Sequence, residues 1–136
     1  MTKLAHIGGK IAGITITPLG AVVEGKPLEH TYEEALRQLA VAERTCKFAL
    51  GDLLVAASAH YDERYARWAE ITGLEIQSLR DIASTALRVP MERRRVDTLS
   101  FSHHREVAAL PAPDQVKWLE AAETREIGSA RLRKSI

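Results

Sequence analysis

Apolar positions follow two regimes along the chain. Before Thr31, short β-branched stretches alternate with glycine and proline, and after it apolar residues recur at spacings of three, four and seven. Ile14-Thr15-Ile16-Thr17 and Ala21-Val22-Val23-Glu24 flank Pro18-Leu19-Gly20, which predicts a small β-hairpin within an N-terminal arm of residues 1–30. An isolated hairpin is marginal in water and needs a partner surface. The alternative for this segment is a mobile arm.

Thr31-Tyr32-Glu33-Glu34 has the form of a capping box and predicts the start of a long helix. Tyr32, Leu36, Leu39, Cys46, Leu50, Leu53 and Leu54 then lie along one face, with Glu33, Arg37, Arg44 and Lys47 mostly elsewhere. Gly51-Asp52 either bends this helix or ends it and caps another. A further helix opens near Asp62 and runs to Ile71, where Thr72-Gly73-Leu74 breaks it. The next spans Glu75 to Leu87 and gathers Ile76, Leu79, Ala83, Ala86 and Leu87 on one side. Its polar side carries Gln77, Arg80, Asp81, Ser84 and Arg88, and Pro90 stops it. Beyond Arg93-Arg94-Arg95, Ser102 is placed to cap a helix through Leu110, Pro111-Ala112-Pro113 to start one through Glu123, and Ser129 to cap a final turn or two. The expectation is a mainly α protein, a helix-turn-helix multi-helix domain over 31–136, with at least five helices and any strand confined to the segment before Thr31.

Composition supports this. The 136 residues are 46% hydrophobic and 27% charged, as in an ordinary folded domain rather than a disordered chain. Ala, Leu, Glu and Arg, which lose little side-chain freedom in a helix, are plentiful. The net charge is only +1, so a polybasic coat for nucleic acid is excluded and phosphate binding must come from local asymmetry. Such asymmetry exists: Met1 to Glu63 holds 6 basic and 8 acidic residues, Arg64 to Ile136 holds 13 basic and 10 acidic. The lone Cys46 excludes an internal disulfide, and its place in the apolar pattern predicts burial. No apolar run reaches the roughly 18 residues of a membrane span, and no signal-peptide core is present. A soluble, cytoplasmic, nucleoid-associated protein is expected.

The densest signal lies at Tyr65 to Ser84. A helix-turn-helix needs a small residue where its helices approach, which Ala69 supplies four positions before Gly73. Its tight turn needs a residue that tolerates positive φ, and glycine does so freely. Leu74, Leu79 and Ile82 have the spacings that plug the second helix into the first. In such a unit the second helix enters the major groove. Gln77 is suited to adenine and Arg80 to guanine, with Ser78 and Ser84 reaching a base or phosphate and Arg88 beside them. Arg93, Arg94 and Arg95 are expected to grip the phosphate backbone. His103 is expected to donate to phosphate or to pack against the reading unit.

The unit, followed by Leu99-Ser100-Phe101-Ser102-His103-His104-Arg105-Glu106-Val107-Ala108-Ala109-Leu110 and by Asp114-Gln115-Val116-Lys117-Trp118-Leu119, resembles the DNA-binding segment of the ParB, KorB and Noc family. Gly128-Ser129-Ala130-Arg131-Leu132-Arg133 is similar to the arginine-bearing piece that closes that segment. The resemblance covers Asp62 to Arg133. It implies operator DNA binding, usually by dimers on inverted repeats, in transcription control or in maintenance of a mobile element, as in phage- and plasmid-borne stand-alone regulators. The family's partition members carry a nucleotide clamp ahead of the reader. Nothing between Met1 and His60 resembles it, so CTP binding is not implied.

Catalysis finds little support. Gly8-Gly9-Lys10 lacks the spaced glycine and the hydroxyl residue of a phosphate loop. No nucleophile is patterned with Asp52, Asp62 or Glu63, and His103-His104, about 100° apart on a helix, have no ligand cluster around them for a metal. No cofactor is expected. The partners expected are double-stranded DNA and a second copy of the chain, paired through the apolar face from Tyr32 to Leu54, with a protein partner for the N-terminal arm as a further option. The rival reading is a helical protein-interaction module, a phage adaptor or inhibitor that does not bind DNA.

Overall fold

The computed structural model describes residues 9–136; Gly8 of the phosphate-loop echo and the first part of the arm lie outside the described residues. Among the described residues the fold is mainly helical, with six α-helices after a three-stranded antiparallel sheet. The chain divides into two compact units, one up to Glu43 and the other Arg44–Ile136.

The first unit holds β1 (Lys10–Ile11), β2 (Ile14–Thr17) and β3 (Gly20–Val23), in that order. The expected hairpin is β2–β3, registered from Ile14 opposite Val23 to Thr17 opposite Gly20. The sequence reading missed β1, a strand of two residues that pairs with β2 through Lys10 and Ile11. The turn is tied by the Thr17 hydroxyl, which accepts from the backbone N–H groups of Leu19 and Gly20. Ile14 is the buried side chain of this sheet.

Helix α1 spans Glu29–Tyr61 and begins two residues before the expected cap. The backbone N–H groups of Thr31 and Tyr32 bond to the Leu28 carbonyl, so Thr31 lies inside the first turn and is buried. Glu34 then has no cap to reach. Its carboxylate accepts from Gln38 and Arg37 instead. The expected apolar stripe is corrected in part: Leu54 is buried as expected, whereas Tyr32, Leu36, Leu39, Cys46 and Leu53 are exposed and Ala35 and Phe48 are buried instead.

In the second unit follow α2 (Tyr65–Thr72), α3 (Ile76–Arg88), a 3-10 turn (Met91–Arg93), α4 (Phe101–Val107), α5 (Ala112–Arg125) and α6 (Ser129–Ser135). Helix α1 continues through Gly51 without ending. A Cβ at Gly51 would lie 2.6 Å from the Ala86 Cβ and 2.8 Å from the Ile82 carbonyl oxygen. Glycine is therefore what lets α1 and α3 touch along their backbones. Ala86 is buried at this approach as expected, and Ile82 and Thr85 join it. Leu79 and Ala83 stay buried, whereas Ile76 and Leu87 are exposed.

Three apolar clusters fill this unit. Phe48, Ile82, Ala86 and Phe101 form one. Leu54, Tyr65, Leu79 and Ala83 form a second, with Ala69 and Trp68 packed against it. Val89, Leu99, Val107, Leu119, Ala122, Ile127 and Leu132 form the third, which binds the last three helices together. The cap of α4 is Ser100 rather than Ser102, because the Ser100 hydroxyl accepts from the His103 N–H. No helix among the described residues is long and apolar enough to cross a membrane.

Candidate nucleic-acid interface

Helices α2 and α3 are joined by a tight turn at the place where a helix-turn-helix is expected. Gly73 closes α2 in the left-handed region (φ 75°), and its N–H bonds to the Ala69 carbonyl at 2.8 Å. The Thr72 hydroxyl donates to the Trp68 carbonyl and accepts from the Leu74 N–H, which fixes the path into α3. Leu79 is fully buried against the α1–α2 side. The other two expected plugs differ. Ile82 packs with Phe48 and Phe101, and Leu74 is 40% exposed.

The outer face of α3 carries Gln77, Ser78, Arg80, Asp81, Ser84, Leu87 and Arg88, all exposed. Two of these side chains are held before any ligand arrives. The Gln77 amide donates one hydrogen bond to Asp81 at 2.9 Å, which leaves its oxygen and second N–H free for the two-bond contact that adenine offers. The Arg80 guanidinium lies over the Tyr65 ring, 5.1 Å from its centroid. A stacked guanidinium keeps its in-plane N–H edge free. Tyr65 is itself buried and set edge-on to Trp68 at 5.2 Å. Asp81 and Tyr65 are thus functional candidates that residue-by-residue reading passed over. The i, i+4 spacing of Gln77 and Asp81 was a signal for the first, and no sequence signal places Tyr65 beneath Arg80.

The arginine run is engaged within the fold. Arg94 has a side chain only 8% exposed, paired with Asp52, and it also donates to the carbonyls of Ala86 and Val89. Its guanidinium covers the Phe48 ring at 4.3 Å. With these partners Arg94 serves as an internal strut of the fold. Arg95 is bound to Glu123, which also accepts from the Thr98 hydroxyl. Both bonds hold the Glu123 carboxyl below the usual carboxylate range, with the Thr98 bond the larger cause. Arg93 donates to the Gln115 side chain at 2.8 Å. Gln115, 2% exposed, in turn donates to the carbonyls of Arg88, Ala108 and Leu110. The run thus ties the C-terminal end of α3 to α1 and α5. Arg88 remains exposed, with its carbonyl used by the fold.

His103 is also taken by the fold. Its Nδ1 accepts from the Ser100 N–H and its Nε2 donates to the Ile127 carbonyl at 2.8 Å, so neither ring nitrogen is left to meet a phosphate. The neighbouring His104 is fully buried. Its Nε2 accepts from the Arg95 N–H and its Nδ1 donates to the Ser100 carbonyl. Burial pushes its pKa down to about 4, which keeps the ring neutral and able to accept. Cationic groups that the sequence reading left aside lie on α2 and just before it. Arg67 is exposed and loosely paired with Glu70 at 3.6 Å, and Arg64 donates to the Tyr61 carbonyl.

No protein-family model matches the chain, and no solved structure matches it. Over 87 residues, 64% of its length, the chain is 41% identical to the transcriptional regulator NovE of Streptomyces niveus. The matched stretch is 40% of that relative, so the chain spans less than half of the protein it is similar to.

Proposed function

We propose that this chain is a transcriptional regulator that binds double-stranded DNA in a sequence-specific manner through the outer face of α3. The observation that carries the reading is the pair of preset side chains on that face: Gln77 held by Asp81, and Arg80 stacked on Tyr65. Preset groups lose less freedom on binding, which is how an interface gains affinity without new contacts. Likeness to a transcriptional regulator supports the same reading.

In this reading Gln77 meets adenine and Arg80 meets guanine, with Ser84 between them around the helix and Ser78, exposed in its first turn, reaching a base or a phosphate. Phosphates fall to Arg88 at the end of α3 and to Arg64 and Arg67, because the first helix of such a unit crosses the backbone. One reading helix gives few base contacts, so the protein acts as a homodimer. The apolar side chains that α1 leaves exposed in the first unit, Tyr32, Leu36 and Leu39, are the proposed pairing surface.

Selection of bound sequences from random DNA tests the proposal. An inverted repeat with half-sites about 34–36 Å apart, or a multiple of that, is expected. Recovery of no sequence, together with flow-through on heparin at physiological salt, would replace it with the protein-interaction reading.

A further inference from the structure

The reading face of α3 is not wholly polar. Leu87 is 66% exposed on it. At about 100° per residue, Leu87 lies within about 20° of Arg80 around the helix and about 10 Å further along its axis. Ser84 lies between them in sequence and Arg88 follows. The core has no use for this leucine: the buried arc of α3 is Leu79, Ile82, Ala83, Thr85 and Ala86. A large apolar side chain therefore stands in line with the arginine assigned to guanine.

We infer that Leu87 is a specificity-determining residue that packs on the C5 methyl group of a thymine in the same half-site. The inference rests on the reading of α3 proposed above. Leucine has no hydrogen-bonding group, and the thymine methyl is the one apolar group that base edges present in the major groove. The axial distance from Arg80 corresponds to about three base steps at 3.4 Å each, so one helix lying in the groove reaches both bases. Leu87 then distinguishes thymine from cytosine at a position where no side chain donates or accepts. The methyl and the leucine lose water together, and the contact matters by roughly the burial of one methyl group.

The test deletes the methyl from the DNA. The full chain is titrated against its selected operator and against duplexes with deoxyuridine in place of each thymine in turn. At one thymine, about three base pairs from the guanine assigned to Arg80, affinity falls about fourfold, while the Leu87→Ala variant binds thymine and uracil duplexes alike. Equal affinity of the parent protein for thymine and uracil duplexes at every position overturns the inference. So does a Leu87→Ala variant that still separates them. Because the parent protein alone reads the missing methyl, that arm does not depend on the variant's folding. Gln77→Ala and Arg80→Ala are run beside it. If they bind the operator as the parent does, the reading of α3 itself fails, whereas their weakening with no effect of uracil removes only the role of Leu87.

Discussion

Arg94 holds Asp52 in a fork: its two terminal nitrogens donate to the two carboxylate oxygens at 2.9 and 2.7 Å. One partner is on α1 and the other follows the 3-10 turn after α3, so the pair fixes the C-terminal end of α3. Arg94→Ala leaves the carbonyls of Ala86 and Val89 and the Asp52 carboxylate without their donors. Asp52 keeps some water, being 40% exposed, so the loss is expected to be moderate, on the order of 2–3 kcal/mol. Arg94→Lys recovers little, because an ammonium cannot fork. Urea midpoints measure both. An Arg94→Ala protein as stable as the parent but weakened on all DNA would return Arg94 to the phosphate backbone.

Gly51 sets two effects of opposite sign against each other. Alanine is the better helix former by about 1 kcal/mol. Its Cβ would stand 2.6 Å from the Ala86 Cβ and 2.8 Å from a backbone oxygen of α3, and neither atom is the free end of a flexible chain. Overpacking of this kind typically costs about 1–3 kcal/mol. The clash is expected to win, so that Gly51→Ala lowers the urea midpoint. A rise would mean that α1 and α3 separate freely.

The helices were legible because their signals are local. Gly73 marks its turn by allowing positive φ, Pro90 stands just past the end of α3, and Pro111 stands at the start of α5. What was not legible depends on which backbone approaches which. Leu79, Ala83 and Ala86 of α3 are buried as expected, but the burial of Thr85 in place of Ile76 and Leu87 was missed because Gly51, some thirty residues earlier in the chain, admits α1 on the Ile82 side. Arg93, Arg94 and Arg95 read as a solvated basic run because their partners, Gln115, Asp52 and Glu123, are far away in sequence. His103 read as a candidate phosphate donor for the same reason: its acceptor is the Ile127 carbonyl. The polar face of α3 needed no distant knowledge, and Gln77, Arg80, Ser84 and Arg88 all lie on it.

His104 makes the stability of the fold depend on pH. Its pKa falls from 6.5 to about 4, chiefly through burial, with the hydrogen bond to Ser100 opposing. Between these values the unfolded chain takes up a proton that the folded one refuses. Stability is therefore highest above about 6.5 and declines as pH falls toward 4, by about 3 kcal/mol in all from this group. Urea midpoints at pH 7.5 and pH 4.5 should show the decline. In His104→Phe, which lacks the titrating ring, the protein is less stable at both values and this part of the pH dependence disappears. An unchanged dependence would assign it to other groups.

Reading and holding leave different marks on DNA binding. If Gln77 and Arg80 touch base edges, replacing either with alanine costs about 1–3 kcal/mol on the selected operator and relaxes the preference at one base position. Binding to unrelated DNA barely changes. Asp81→Ala acts in the same direction as Gln77→Ala but less strongly, because it frees the amide without removing it. Arg88, Arg64 and Arg67, assigned to phosphates, behave otherwise: each alanine variant weakens operator and unrelated DNA alike, and flattens the slope of log affinity against log salt by about one unit. Titrations across a range of salt concentrations on both duplexes separate the two classes. Arg95→Ala supplies the contrast, since its guanidinium is bound to Glu123. It is expected to leave the salt slope near that of the parent, and a full unit of flattening there would show that the ion pair opens for DNA.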